Sequence, residues 1–161
     1  MKTLLLVRHA KSSHDHPGLS DFDRPLNERG KRDAPLMADR TAALVTGVSL
    51  LVSSPALRAL TTARAFHKAW GNAATLVENN RIYEADPDTL LSIVQALDDR
   101  HDQVALFGHN PGFSQLASYL CSQQIEMVTC CVVHIALETD TWKAADPQLA
   151  RLMAVDYPKR V

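Results

Sequence analysis

Short β-rich runs alternating with helical segments predict an α/β fold: a three-layer sandwich with a mostly parallel central sheet flanked by helices. Three observations carry this expectation. Apolar runs recur at residues 3–7, 48–52 and 104–107, each too short for a helix and each bounded by turn-forming residues. A segment with helical spacing follows each of them after a polar connection. The chain has 161 residues, 46% hydrophobic and 22% charged, which is the size and balance of one soluble unit, so a single domain over 1–161 is expected.

The elements follow in order. Residues 3–7 read as a buried strand near the sheet centre. Residues 11–25 hold Ser, Asp, His, Gly and Pro without period and read as a long loop, of a length that is usually functional or disordered. Asn27 is the expected N-cap of a helix reaching about Leu44, with Leu36, Met37, Ala43 and Leu44 turned to the core. Pro35 should kink or divide it, and Gly30 should weaken its first part. After the strand at 48–52, Ser53-Ser54-Pro55 reads as an N-cap with proline at the first helical position, opening a helix over 55–70. A short strand at 75–77 leads to the loop around Ile82-Tyr83-Glu84. Asp86-Pro87 opens a helix whose apolar side is Leu90, Leu91, Ile93, Val94 and Leu97. The strand at 104–107 runs through Gly108-His109-Asn110-Pro111-Gly112 into a helix over 113–120. Residues 127–137 and 149–155 read as closing strands.

Composition excludes several classes. With 17 Lys and Arg against 18 Asp and Glu, the net charge is −1, so no global field recruits nucleic acid or an anionic membrane. No apolar stretch approaches the roughly 20 residues of a membrane helix, and the run Leu4 to Val7 is too short for a secretory signal. Cys121, Cys130 and Cys131 form no disulfide framework, and a reducing cytoplasm is the expected location. An arginine six positions after Cys130 or Cys131 would be needed for a cysteine phosphatase, but those positions hold Ala136 and Leu137. No P-loop motif occurs. His14-Asp15-His16 has no third clustered ligand and reads as a solvated loop, so no metal site and no cofactor is expected.

What remains is a convergence. Arg8-His9 ends the first strand, Ser53 to Arg58 follows the second, and Gly108-His109 ends the 104–107 strand. Ligands of open α/β sheets bind beyond the carboxyl ends of the strands. Parallel strands would therefore bring Arg8, His9, Arg58 and His109 to one pocket. Two guanidiniums and two imidazoles at one point need an anion, and phosphate is the geometric match for paired arginines. Each residue has an ordinary reading on its own: a structural histidine, a turn residue, a surface arginine. Arg58, however, lies in a first helical turn, where a cation opposes the dipole, an odd place for a surface arginine and a sensible one for a phosphate ligand.

Three motifs carry a resemblance: Leu6-Val7-Arg8-His9-Ala10, then Ser53-Ser54-Pro55-Ala56-Leu57-Arg58, then Gly108-His109-Asn110-Pro111-Gly112. In this order they resemble the histidine phosphatase (phosphoglycerate mutase-like) superfamily. Arg8-His9-Ala10-Lys11-Ser12-Ser13, Asp21-Phe22-Asp23-Arg24-Pro25-Leu26-Asn27 and Asp156-Tyr157-Pro158-Lys159 resemble its SixA-like phosphohistidine phosphatases. The resemblance implies a metal-independent phosphatase in which His9 attacks phosphorus and becomes a phosphohistidine that water then hydrolyses. It implies that Arg8, Arg58 and His109 hold the phosphoryl oxygens, and that Glu84 stands where many members carry a general acid. Asp15 falls where some relatives carry a phosphate-side asparagine, and Ser12 is the alternative donor there. The implied substrate is a phosphohistidine-bearing protein. A small phosphorylated molecule at the same site, or a catalytically silent phosphate-binding module, are the alternatives.

Overall fold

The run Lys2–Arg8 (β1) lies in the interior of a six-stranded sheet, hydrogen-bonded on both sides, in a computed structural model that describes residues 1–160. The remaining elements are α1 (Glu28–Leu44), β2 (Leu50–Ser53), α2 (Leu57–Trp70), β3 (Thr75–Glu78), α3 (Pro87–Gln95), β4 (Gln103–Gly108), α4 (Gly112–Cys121), β5 (Val132–Leu137) and β6 (Ala150–Asp156). Strand order is β3-β2-β4-β1-β5-β6. The first four are mutually parallel, and β5 and β6 pair antiparallel. The mostly parallel α/β sandwich read from the sequence is the fold observed.

Alternation along the strands builds two cores. Leu5, Val7, Ala105 and Phe107 face α1 and α2 and pack with Met37, Ala63 and Phe66. Leu4, Leu6, Val104 and Leu106 face α3 and α4 and pack with Leu90, Phe113 and Leu116. A side-chain period of two thus sends successive residues of each buried strand to opposite layers, each burial stabilising by about 1.5–3 kcal/mol.

Several local expectations need correction. α1 is one uninterrupted helix of 17 residues that carries Pro35 within it, capped by the Asn27 side chain on the Gly30 N–H at 2.9 Å. Its buried stripe is Gly30, Ala34, Met37, Ala38 and Thr41, while Leu36, Ala43 and Leu44 are exposed. The stripe at i, i+4, i+7, i+8 and i+11, small residues apart from Met37, brings α1 close to its neighbours, so spacing outweighs side-chain size. α2 starts at Leu57 and not at Pro55, with no side-chain cap. The Ser54 hydroxyl accepts from the Ala56 N–H ahead of the helix and serves the site described below. The segment read as strand from 127 becomes strand only at Val132; Cys130 and Cys131 lie in the turn before it, buried against opposite layers.

Among the described residues no helix is long and apolar enough to cross a membrane. The register fixes what matters for function. Arg8 pairs with Gly108 and Ser53 with Phe107, so the three strand exits end side by side.

Candidate active site

β1 delivers its last residues into a cage of backbone bonds. The His9 N–H donates to the Gly108 carbonyl at 3.0 Å, and the His9 carbonyl accepts from the Cys130 N–H at 3.0 Å. The Ala10 N–H donates to Thr62 Oγ1 at 3.0 Å, and that hydroxyl donates to the Arg58 carbonyl at 2.8 Å. Neighbouring strands and α2 together fix the His9 backbone.

The imidazole is oriented by one short bond. His9 Nδ1 lies 2.7 Å from the Ala10 carbonyl oxygen. A carbonyl only accepts, so Nδ1 carries the proton and Nε2 keeps its lone pair. His9 is 6% exposed. Burial, followed by the nearby positive groups, pushes its pKa down to about 3 against the opposing pull of the Ala10 bond. The ring is neutral at pH 7 and can act as a nucleophile through Nε2.

His109 sits 5.3 Å from His9, ring centre to ring centre. Ser54 Oγ accepts the Ala56 N–H at 3.2 Å and lies 2.7 Å from His109 Nε2. With the hydroxyl proton directed at Nε2, the His109 proton sits on Nδ1. Burial first, then Arg58, holds the His109 pKa down at about 4.

The two arginines come from different elements. Arg8 Nη1 donates to the Met127 carbonyl at 3.0 Å, which also accepts from Asn110 Nδ2 at 2.8 Å. Desolvation lowers the Arg8 pKa, and Arg58 contributes in the same direction. Arg58, at the start of α2, donates from Nη1 to the Asp21 carbonyl at 2.7 Å and from Nη2 to Asp21 Oδ2 at 3.0 Å. The Arg8 Nε, the Arg58 Nε and the His109 Nδ1 are buried and make no hydrogen bond among the described residues. Buried N–H groups are almost always paired in proteins, so three such donors in one neighbourhood suit an anion with several oxygens. α2 and α4 both begin without an acidic residue in the first turn, which leaves their positive ends uncompensated.

The structure thus brings Arg8, His9, Arg58 and His109 together. Ser12 is placed differently: it is buried, and its hydroxyl accepts from Arg24 Nη1 at 2.7 Å. Asp15 is exposed, and its contact is through the backbone, its N–H donating to Ser13 Oγ. Glu84 is exposed, with a left-handed φ of 56°, next to the Tyr83 that packs edge-on to His109 at 5.6 Å. Among the described residues no three of His, Cys, Asp or Glu cluster as metal ligands.

Sequence reasoning missed Asp21 as a site residue. It is the hub of the loop between β1 and α1. Its Oδ2 accepts from Tyr83 Oη at 2.7 Å as well as from Arg58, and its Oδ1 accepts from Arg24 Nη2 at 3.1 Å. The tyrosine bond, with Arg58 and Arg24, holds the carboxyl far below the usual carboxylate range. The same bond pushes the Tyr83 phenol up to about 12. Arg58 therefore has an acidic partner, 37 residues away in sequence.

With this geometry established, comparison with known proteins assigns the class. Residues 4–90 match the family model of the histidine phosphatase superfamily (branch 1). The chain belongs to that superfamily and is a hydrolase acting on phosphoryl groups. An uncharacterized protein of Mycobacterium leprae is 34% identical over 116 residues, covering 69% of this chain and 68% of that protein. An uncharacterized chloroplastic protein of Arabidopsis thaliana is 28% identical over 153 residues, covering 89% and 70%. Among solved structures, one assigned to phosphohistidine phosphatase SixA from Agrobacterium tumefaciens superposes with a TM-score of 0.79 at 26% identity, covering 98% of both chains. A second such structure, from Nakamurella, gives 0.83 at 22% identity, covering 99% of this chain and 97% of that one. The protein histidine phosphatase SixA bound to tungstate gives 0.78 at 22%, covering 97% of both.

Proposed function

We propose that this protein is a phosphohistidine phosphatase that acts on phosphorylated histidine in proteins, without a metal, through a phosphohistidine intermediate on His9. The observation that carries the reading is the His9 imidazole. It is neutral, its Nδ1–H is committed to the Ala10 carbonyl so that Nε2 keeps its lone pair, and three buried nitrogen atoms of the site make no hydrogen bond among the described residues.

In this reading Nε2 attacks phosphorus on the side opposite the leaving group. Arg8, Arg58 and the Nδ1–H of His109 hold the three equatorial oxygens and stabilise their charge in the transition state. The arginines supply positive charge of the kind a metal supplies in other phosphoryl-transfer sites. In the second half-reaction water attacks the phosphorus of phospho-His9. The P–N bond breaks, its electron pair returns to Nε2, and both protons of the water leave on the product as H2PO4⁻. Ser12 supports the site through Arg24 and keeps its own hydroxyl proton for a phosphate oxygen. Glu84, at the rim, is the candidate acid for leaving groups that need a proton.

A peptide library carrying phosphohistidine, followed by mass spectrometry before and after incubation, tests the substrate class against a panel of sugar phosphates. Loss of phosphoryl groups from histidine at a kcat/KM above that for the sugar phosphates is expected. The reverse order would make the protein a small-molecule phosphomonoesterase, and no turnover of any phosphoryl compound would make it a binding module.

A further inference from the structure

We propose that Asp21, flanked by the Phe22–Tyr83 aromatic pair, forms the leaving-group side of the pocket and selects substrates whose departing group is a cationic nitrogen base. This rests on the phosphatase reading with His9 as nucleophile and deepens it. An in-line displacement places the leaving atom opposite Nε2 of His9. His9 is buried at the strand exit, so the opposite side is the open mouth. The mouth carries Asp21, whose side chain is 51% exposed, Tyr83 edge-on to His109, and Phe22 edge-on to Tyr83 with ring centres 5.2 Å apart. The charge of Asp21 also reaches His109, whose imidazole it favours in the protonated form.

The proton inventory at this mouth is unusual. The Tyr83 hydroxyl already donates to Asp21 Oδ2, and the phenol holds its proton to about pH 12. Asp21 itself stays ionised far below neutral pH. Neither of these two groups hands a proton to a departing oxygen near pH 7, which leaves that task to Glu84 at the rim. A leaving group that already carries its proton, on the far ring nitrogen of a phosphorylated imidazole or on the nitrogen of a phosphorylated amine, needs none: as Nε2 bonds to phosphorus, the P–N bond breaks, its electron pair returns to the departing nitrogen, and a neutral imidazole or amine leaves with that proton. Before that step the leaving group is a cation.

Such a cation would face Arg24 and Arg58 directly were it not for Asp21, the carboxylate bonded to both. Asp21 shields it from them, and aromatic rings favour it further. An aryl or alkyl phosphate has the opposite requirement, because its leaving oxygen gains negative charge. One carboxylate therefore helps the first class and hinders the second.

The test is the ratio of kcat/KM for a phosphohistidine peptide to that for p-nitrophenyl phosphate. Asp21→Asn should lower it about 10-fold or more, the scale of one charge a few ångströms from the reacting atoms in a partly solvated site. Asp21 also holds Arg58, and any slackening of that arginine slows both substrates, which the ratio cancels. Arg24→Gln removes a cation from the other side of the carboxylate and should raise the ratio severalfold, so the inference stays testable if Asp21→Asn folds poorly. A wild-type enzyme that turns over both substrates, with a ratio unmoved within twofold by either change, would overturn the role of Asp21 while leaving the phosphohistidine reading intact. A wild-type enzyme that hydrolyses p-nitrophenyl phosphate and leaves phosphohistidine untouched would overturn both.

Discussion

At the scale of single residues, the chemistry turns on the 2.7 Å contact between His9 Nδ1 and the Ala10 carbonyl. It fixes a tautomer without reference to function, and NMR reads it directly. Imidazole ¹⁵N shifts should show His9 protonated on Nδ1 and His109 protonated on Nδ1, with neither titrating between about pH 5.5 and 8, because burial holds the two pKa values at about 3 and about 4. A midpoint near 6.5 for either ring would mean that it is solvated. Arg8→Ala and Arg58→Ala should each lower kcat/KM by the equivalent of about 2–4 kcal/mol, as for loss of one transition-state donor. An unchanged kcat/KM would place that arginine outside the reaction. Glu84→Gln should spare p-nitrophenyl phosphate, slow phosphohistidine modestly and slow alkyl phosphates by about 10²–10⁴-fold if Glu84 is the acid. Equal, small effects on all three would make it a bystander. Arg8, His9, Arg58 and His109 were legible because each sits within a few residues of an apolar strand, where the parallel sheet dictates direction. Asp21 and Tyr83 were not, because their loops have no period and their bond spans 62 residues.

At the scale of elements, α1 shows why helix position was readable and helix orientation was not. Asn27 marks its start through a side-chain bond that the sequence announces. Its inward face, from Gly30 to Thr41, is small residues apart from Met37, while the exposed Leu36 and Leu44 mislead a reading by residue size. Gly30 does more than tolerate the helix. A Cβ there would land against the Lys11 carbonyl oxygen, the group that accepts from the Asn27 N–H at 3.0 Å. Gly30→Ala should therefore lower the melting temperature and the activity together, although helix propensity alone would favour Ala by up to about 1 kcal/mol. A higher melting temperature would show that the loop yields freely. Gly112 has the same role at α4, where a Cβ would strike the Ala85 carbonyl oxygen in the segment that carries Tyr83 and Glu84. The N-terminus of α2 escaped the sequence reading for a related reason: Ser54 takes the Ala56 N–H and also holds His109, and the helix begins only at Leu57.

At the scale of the whole molecule, a parallel sheet places charge-bearing residues from three strand exits in one buried site, and that arrangement has a thermodynamic consequence. His9 and His109 have folded pKa values below the unfolded value of about 6.5, so the unfolded chain binds more protons as pH falls. Stability should therefore decline from about pH 6.5 down toward pH 4 and below, and be fully present above that window. Asp21, whose carboxyl is depressed, acts in the same sense at lower pH. Melting temperatures recorded across pH 4–8 for the wild type and a His9→Asn variant should show a shallower acid loss in the variant; identical curves would remove His9 from the balance. The measurement that bears most directly on the central claim is the trapping of the covalent intermediate. Enzyme mixed with excess phosphohistidine peptide and quenched in base within milliseconds should carry an acid-labile phosphoryl group, located by mass spectrometry on the peptide that contains His9 and missing from the His9→Ala protein. Steady turnover with no phosphoryl group on that peptide, or turnover by His9→Ala within tenfold of wild type, would contradict it.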